Sequence, residues 1–128
     1  MILLDATVFI DFLNNIPQAV DFMDLIEHKN TALSSVTLAE VLVGCNQEEH
    51  NQILIFSQQL HFFNIDREIA ISAARLRQEY RWKLPDAFQA ALALEHKLTL
   101  ITRNTKDFDP QIHTFVKIPY HLSVRKTR

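Results

Sequence analysis

A single glycine, Gly44, stands in this chain of 128 residues, and that scarcity excludes more folds and functions than any one motif adds. Gly-rich phosphate loops, dinucleotide-binding fingerprints, G-x-S-x-G nucleophile elbows and the glycine turn of a calcium loop all use glycine where the backbone must turn left-handed or approach a ligand closely. Gly44 supplies none of them. Any chemistry here has to come from side chains placed by strands and helices.

Cys45 is likewise alone, so neither an intrachain disulfide nor a Cys-rich zinc site forms, and a reducing cytoplasm is the expected compartment. The opening Met-Ile-Leu-Leu-Asp has no basic n-region and meets an acid too early for a signal peptide. No stretch approaches the roughly 18 unbroken apolar residues of a membrane span, so no membrane is expected among the partners. With 48% of residues apolar, one soluble domain over 1–128 is expected. Folding at this length removes about 65–70% of the unfolded surface from water, enough for a single core. The net charge of −2 conceals an asymmetry. Residues 1–66 hold nine acids and one base, Lys29, whereas residues 67–128 hold twelve bases and six acids. Such polarity hints at an anionic partner.

Neither an internal repeat nor a Gly/Ser linker divides the chain. Ile2 to Asp5 is an apolar run ending in a carboxylate and reads as a buried strand. Asn15 and Pro17 open a helix to His28. Thr31 to Ser34 is a second strand, after which Thr37 and Glu40 open a helix through Leu42, and Asn46 to Leu60 is another. His61 to Ile65 is strand-like. Asp66 caps a helix over Arg67 to Trp82, with apolar spacing at Ile69, Ala73, Leu76 and Tyr80, and Pro85 begins one that runs to about His96. Leu98 to Ile101 and Phe115 to Ile118 complete the strands. Alternating strands and helices imply an α/β fold, a parallel sheet with helices on both faces.

Ligands bind outside the carboxyl ends of such strands, so the acids that follow strands are the ones to weigh. Asp5 ends the first strand, Glu40 follows the second by one helical turn, Asp86 opens a helix and Asp107 follows the fourth strand. If they converge, mutual repulsion raises their pKa values unless a cation neutralises them. Mg2+, with Mn2+ as a substitute, suits an oxygen-only site and would activate water against a phosphodiester. Plainer readings stand beside these. Thr37-Leu38-Ala39-Glu40 fits a capping box, Asp86 suits the positive end of a helix, and Asp107 could be an ordinary loop residue. A carboxylate at the tip of a buried strand is the hardest to dismiss.

Four segments, ILLDATVFIDFL at 2–13, LSSVTLAEVLVG at 33–44, KLPDAFQAALAL at 83–94 and LTLITRNTKDF at 98–108, resemble the PIN-domain family of metal-dependent nucleases, in particular VapC-type toxins of type II toxin–antitoxin pairs. The resemblance implies a three-layer α/β/α sandwich and a Mg2+- or Mn2+-dependent endoribonuclease. It puts Asp5 and Asp86 at metal-ligand positions, Glu40 where it orients the attacking water, and Asp107 or Asn104 at the last polar position, with Thr7 and Thr102 in support. An RNA substrate, a cognate antitoxin and a homodimer are implied as partners. The chain departs from the family at Ala6, where Thr or Ser is frequent, and at Asn104, where many relatives have Asp.

Arg75, Arg77, Arg81 and Lys83 flank Tyr80 and Trp82 just before Asp86, a stretch able to hold RNA phosphates and stack a base, or else a solvated helix face with a core aromatic. Arg125, Lys126 and Arg128 read as a soluble tail, Cys45 as a packed thiol, and Asp11 as a surface residue pointing away from Asp5. No histidine has metal-site spacing. Two other functions remain: a PIN-like module that binds RNA or protein without catalysis, and an aspartate-based phosphatase, whose second Asp would fall where Thr7 stands.

Overall fold

Short apolar runs make the sheet, and longer amphipathic segments cover it. The computed structural model describes residues 1–122. Along the chain come β1 (Ile2–Leu4), α1 (Ala6–Leu13), α2 (Pro17–Leu25), a 3-10 turn at His28–Asn30, β2 (Thr31–Ser34), α3 (Ser35–Val43), α4 (Gln47–Ser57), β3 (His61–Phe63), α5 (Arg67–Tyr80), α6 (Leu84–His96), β4 (Thr99–Ile101) and β5 (Val116–Lys117). The strands lie in the order β3-β2-β1-β4-β5, and every pairing is parallel.

The period of two along each strand divides the core. Leu3, Ala32 and Leu100 face one way, packing with Ile69 and Ala73 of α5 and Ala87, Ala90 and Leu92 of α6. Leu4, Leu33 and Ile101 face the other way, packing with Val8 and Phe9 of α1, Met23 of α2, Val41 of α3 and Ile53 of α4. The result is the three-layer α/β/α sandwich around a parallel sheet. Central β1 has β2 on one side and β4 on the other. The chain therefore leaves β1 in one direction and returns to its opposite edge, which opens a crevice at the carboxyl ends of β1 and β4.

Several boundaries differ from the sequence reading. Helix α3 begins earlier, because Ser34 and not Thr37 is its N-cap: the Thr37 N–H donates to Ser34 Oγ at 3.0 Å. The box expected at Thr37 and Glu40 does not form, which leaves the Glu40 carboxylate free of a capping role. The capping box occurs one helix later, between Asn46 and Glu49. Ile16, not Asn15, is the N-cap of α2, and α2, α4 and α5 stop at Leu25, Ser57 and Tyr80. Asn15, Arg81 and Lys97 take left-handed φ values of 57°, 61° and 54°. Arg125, Lys126 and Arg128 lie outside the described residues.

Candidate active site

Asp5 sits where β1 ends and α1 begins. Its backbone N–H donates to the Ile101 carbonyl at 2.9 Å, which fixes it to the neighbouring strand β4. Its side chain does not cap α1. Instead Oδ2 accepts from Thr7 Oγ1 at 3.0 Å and from Thr102 Oγ1 at 2.8 Å, and Oδ1 accepts a long bond from Gln89 Nε2 at 3.4 Å. The residue is only 4% exposed. Hydrogen bonds from neutral groups hold it in place without cancelling its charge.

Two other acids, Asp86 and Glu40, feel that charge, and a third, Asp107, acts on Asp86. Asp86 lies in the first turn of α6, Glu40 one turn past Thr37 on α3, and Asp107 in the loop after β4. Burial, then Asp5, then Asp107 push the Asp86 carboxyl up to about 6, against a lowering by Lys83. Glu40 stands at the open rim, and its pKa is raised by partial burial and by Asp5 and Asp86. The fold thus gathers carboxylates from four separate segments into one electrostatic neighbourhood. Among the described residues the ion pairs are Lys29–Glu27 and Arg103–Asp11, and neither involves these four acids.

A hard divalent cation fits this donor set, because the groups are all oxygen donors whose repulsion no side-chain ion pair relieves. Among the described residues no group of three or more His, Cys, Asp or Glu forms a ready-made cage. That is compatible with Mg2+, which takes one or two protein carboxylates and completes its shell with water and substrate phosphate.

Asn104 and Asp107 act as one unit. Asn104 Nδ2 donates to Asp107 Oδ2 at 2.9 Å, and Asn104 Oδ1 accepts from the Asp107 N–H at 3.3 Å. Thr102 Oγ1 accepts from the Asn104 N–H at 3.1 Å while donating to Asp5, and Thr7 Oγ1 accepts from the Arg103 N–H at 3.2 Å. Both threonines therefore link Asp5 to the loop that carries Asp107. Trp82 Nε1 holds the same loop through the Asp107 carbonyl at 3.0 Å.

The basic and aromatic stretch does not gather in the same way. Trp82 is buried beside Phe108 and His113, with Tyr80 stacked on it at 4.5 Å, so Trp82 is a core side chain. Arg77 donates to the Trp82 carbonyl at the end of α5, and Arg81 occupies the left-handed C-cap. Arg75 lines a groove with Leu76, Leu94 and Glu95. Lys83 is the member felt at Asp86. Cys45 is a half-buried thiol that donates to the Val41 carbonyl at 3.2 Å, and burial with Glu49 pushes its pKa up.

Asp11 needs correction. It is 6% exposed rather than on the surface. Its carboxylate receives Arg103 and the Tyr120 hydroxyl, the latter at 2.8 Å. The partners lie 92 and 109 residues away, so local spacing could not reveal them.

Sequence reasoning also missed Gln89, Ser34 and the hydroxyl of Thr37. Gln89 is 1% exposed; its Oε1 accepts from Ser34 Oγ and its Nε2 donates to Thr37 Oγ1, each at 2.6 Å. Thr37 Oγ1 in turn donates to the Leu4 carbonyl at 3.2 Å. A signal existed: Gln89 is the one polar residue within the otherwise apolar run from Ala87 to Leu94. It follows Asp86 by three, hence lies on the same face of a helix.

Comparison with known proteins places this geometry among relatives. The family model described as PIN domain matches residues 2–109. No curated protein matches the chain. Among solved structures, a toxin-antitoxin complex from Klebsiella pneumoniae is 34% identical, with a TM-score of 0.85 over 95% of this chain and 100% of that one. FitAcB from Neisseria gonorrhoeae is 27% identical, with a TM-score of 0.73 and the same coverage. A VapBC-5 toxin-antitoxin structure from Mycobacterium tuberculosis is 26% identical, with a TM-score of 0.59 over 91% of this chain and 94% of that one.

Proposed function

The chain belongs to the PIN domain family, and on that premise we propose that it is a metal-dependent endoribonuclease, the toxin of a type II toxin–antitoxin pair. The observation that carries this reading is that Glu40 and Asp86 are both raised, first by burial and then by acids from other segments, without an ion pair to any of the four acids among the described residues. So much unrelieved repulsion in one crevice suits a site whose missing counter-charge arrives with the reaction.

Asp5 and Asp86 would hold Mg2+, with Mn2+ as a substitute, and Asp107, braced by Asn104, would complete the polar wall. When bound, such a cation neutralises the carboxylates, polarises a phosphate oxygen and lowers the pKa of water. Thr7 and Thr102 hold Oδ2 of Asp5 in one orientation, so the carboxylate need not reorganise when substrate enters. Glu40, at the open rim, would orient the attacking water and take its proton on a carboxylate oxygen. The water oxygen would then bond to phosphorus as the bond from phosphorus to the 3′-oxygen breaks, and the departing 3′-oxygen would take a proton from solvent, leaving a 5′-phosphate and a 3′-hydroxyl. Lys83, and Arg81 at the adjoining end of α5, would meet RNA phosphates along the approach, whereas Arg75, in its groove with Leu94 and Glu95, and Arg77, bonded to the Trp82 carbonyl, stand apart from it.

Partnership with an antitoxin is supported by the Klebsiella pneumoniae relative, which is a toxin-antitoxin complex covering nearly the whole of this chain. A homodimer and a cytoplasmic location complete the proposal. No described helix is long and apolar enough to cross a membrane.

The test is cleavage of RNA by purified protein with Mg2+ or Mn2+. Asp5→Asn and Asp86→Asn should each abolish it while leaving the fold intact. Cleavage that survives both substitutions unchanged rejects the reading.

A further inference from the structure

Asp5, Glu40 and Asp86 come from three separate places, the junction of β1 with α1, α3 and α6, yet one buried side chain touches what positions all of them. Gln89 lies three residues beyond Asp86 on α6. Its Nε2 donates to Thr37 Oγ1 at 2.6 Å and to Asp5 Oδ1 at 3.4 Å, while its Oε1 accepts from Ser34 Oγ at 2.6 Å. Thr37 precedes Glu40 by three residues on α3, and its hydroxyl donates to the carbonyl of Leu4, the residue before Asp5. Ser34 caps α3 through the Thr37 N–H.

Ser34 Oγ–H has its short bond to Gln89 at 2.6 Å and a long alternative to Thr37 Oγ1 at 3.4 Å, and Thr37 Oγ1–H points to Leu4. The amide hydrogens of Gln89 take the remaining acceptors, Thr37 Oγ1 and Asp5 Oδ1. Turning the amide over would aim Oε1 at the Asp5 carboxylate, an acceptor facing an anion, so the orientation is determined by its surroundings. An amide here serves the hydroxyls and the carboxylate.

We propose that Gln89 is a positioning residue that sets the spacing of Asp5, Glu40 and Asp86 for divalent-ion binding. The inference rests on the ribonuclease reading above. A buried node fully satisfied by its neighbours is rigid, and partners that orient ligating groups influence metal affinity by about 10–100-fold when removed. Gln89 does not touch the rim where substrate enters, so its effect falls on ion binding and on turnover rather than on RNA affinity.

The experiment measures Mn2+ binding to the metal-free protein by the spin-resonance signal of the free ion, alongside cleavage kinetics. Two variants are compared with the parent. Gln89→Met keeps the volume and removes all three bonds. Gln89→Asn retains an amide too short to span Ser34 and Asp5 together, and it remains informative if the first variant fails to fold. We expect Mn2+ affinity to fall about 10-fold or more and kcat to drop, with KM for RNA within about twofold of the parent. A merely structural role would lower the melting temperature and leave Mn2+ affinity of the folded variants unchanged. Affinity within twofold of the parent in the folded variants, while the parent binds Mn2+, overturns this inference alone. A parent that binds no Mn2+ at millimolar concentration overturns the ribonuclease reading and this inference with it.

Discussion

The guanidinium of Arg103 grips the carboxylate of Asp11 with two nitrogens, Nε at 2.6 Å from Oδ2 and the terminal NH2 at 3.0 Å from Oδ1. The pair joins α1 to the turn after β4 at the back of the candidate site. The backbone N–H of Arg103 donates to Thr7, which donates to Asp5, so this clamp and the acid cluster share a loop. The interaction raises the pKa of Arg103, chiefly through the bond to Asp11.

Breaking the clamp from one side strands a buried charge. Arg103→Ala should cost about 3 kcal/mol of stability, as should Asp11→Ala to a lesser degree, since its loss leaves the cation partly solvated. Urea unfolding of both single variants and the double variant measures the coupling, and the double variant should be more stable than the sum of the single losses implies.

Removing divalent ions should make the protein less stable as pH rises. Asp86 moves from 3.8 to about 6 on folding. Between about pH 4 and pH 6 the folded state therefore holds a proton that the unfolded chain has released, and the stability this contributes is lost as pH passes through 6. Denaturation in chelator, compared with Asp86→Asn, isolates the effect. The difference in stability between variant and parent should grow in the variant's favour from about pH 4 to pH 6 and level off above it, and Mg2+ should reverse it. At subsaturating Mg2+, where proton and ion compete for Asp86, cleavage should rise with pH through the same interval.

Trp82 is the only tryptophan, and its indole N–H holds the carbonyl of Asp107. Its fluorescence should therefore report occupation of the candidate site, changing on Mn2+ or Mg2+ addition in the parent and not in Asp86→Asn. Trp82→Phe should leave the Asp107 carbonyl without its donor, lowering stability by about 1–3 kcal/mol and accelerating hydrogen exchange in the loop at 104–107.

Much of this architecture is legible in sequence because the strands are continuous apolar runs and the helices open on recognisable caps such as Asp66 and Asn46. The positions of Asp5 and Asp107 after strands likewise follow from the apolar runs preceding them. What stays hidden is long-range polar pairing. Asp11 looks solvent-facing until Arg103 is folded against it, and Gln89 looks like a helix filler until Ser34 and Thr37 arrive from β2 and α3. Glu40 shows the converse: its spacing from Thr37 mimics a cap, and only the choice of Ser34 as N-cap releases it. Local rules were met at two registers, and burial of Thr37 against Leu4 and Gln89 selected one.

Left-handed backbone at Arg81 and Lys97 ends α5 and α6 without glycine. Each L-residue there carries steric strain of about 1–2 kcal/mol, partly offset because glycine would add freedom to the unfolded chain. Lys97→Gly should stabilise the protein by about 0.5 kcal/mol, readable as a raised urea midpoint.

The chain that nearly dispenses with glycine therefore keeps an unspent margin at its corners. An engineer wanting a hardier version could start at Lys97, at the opposite end of α6 from Asp86, and leave the chemistry untouched.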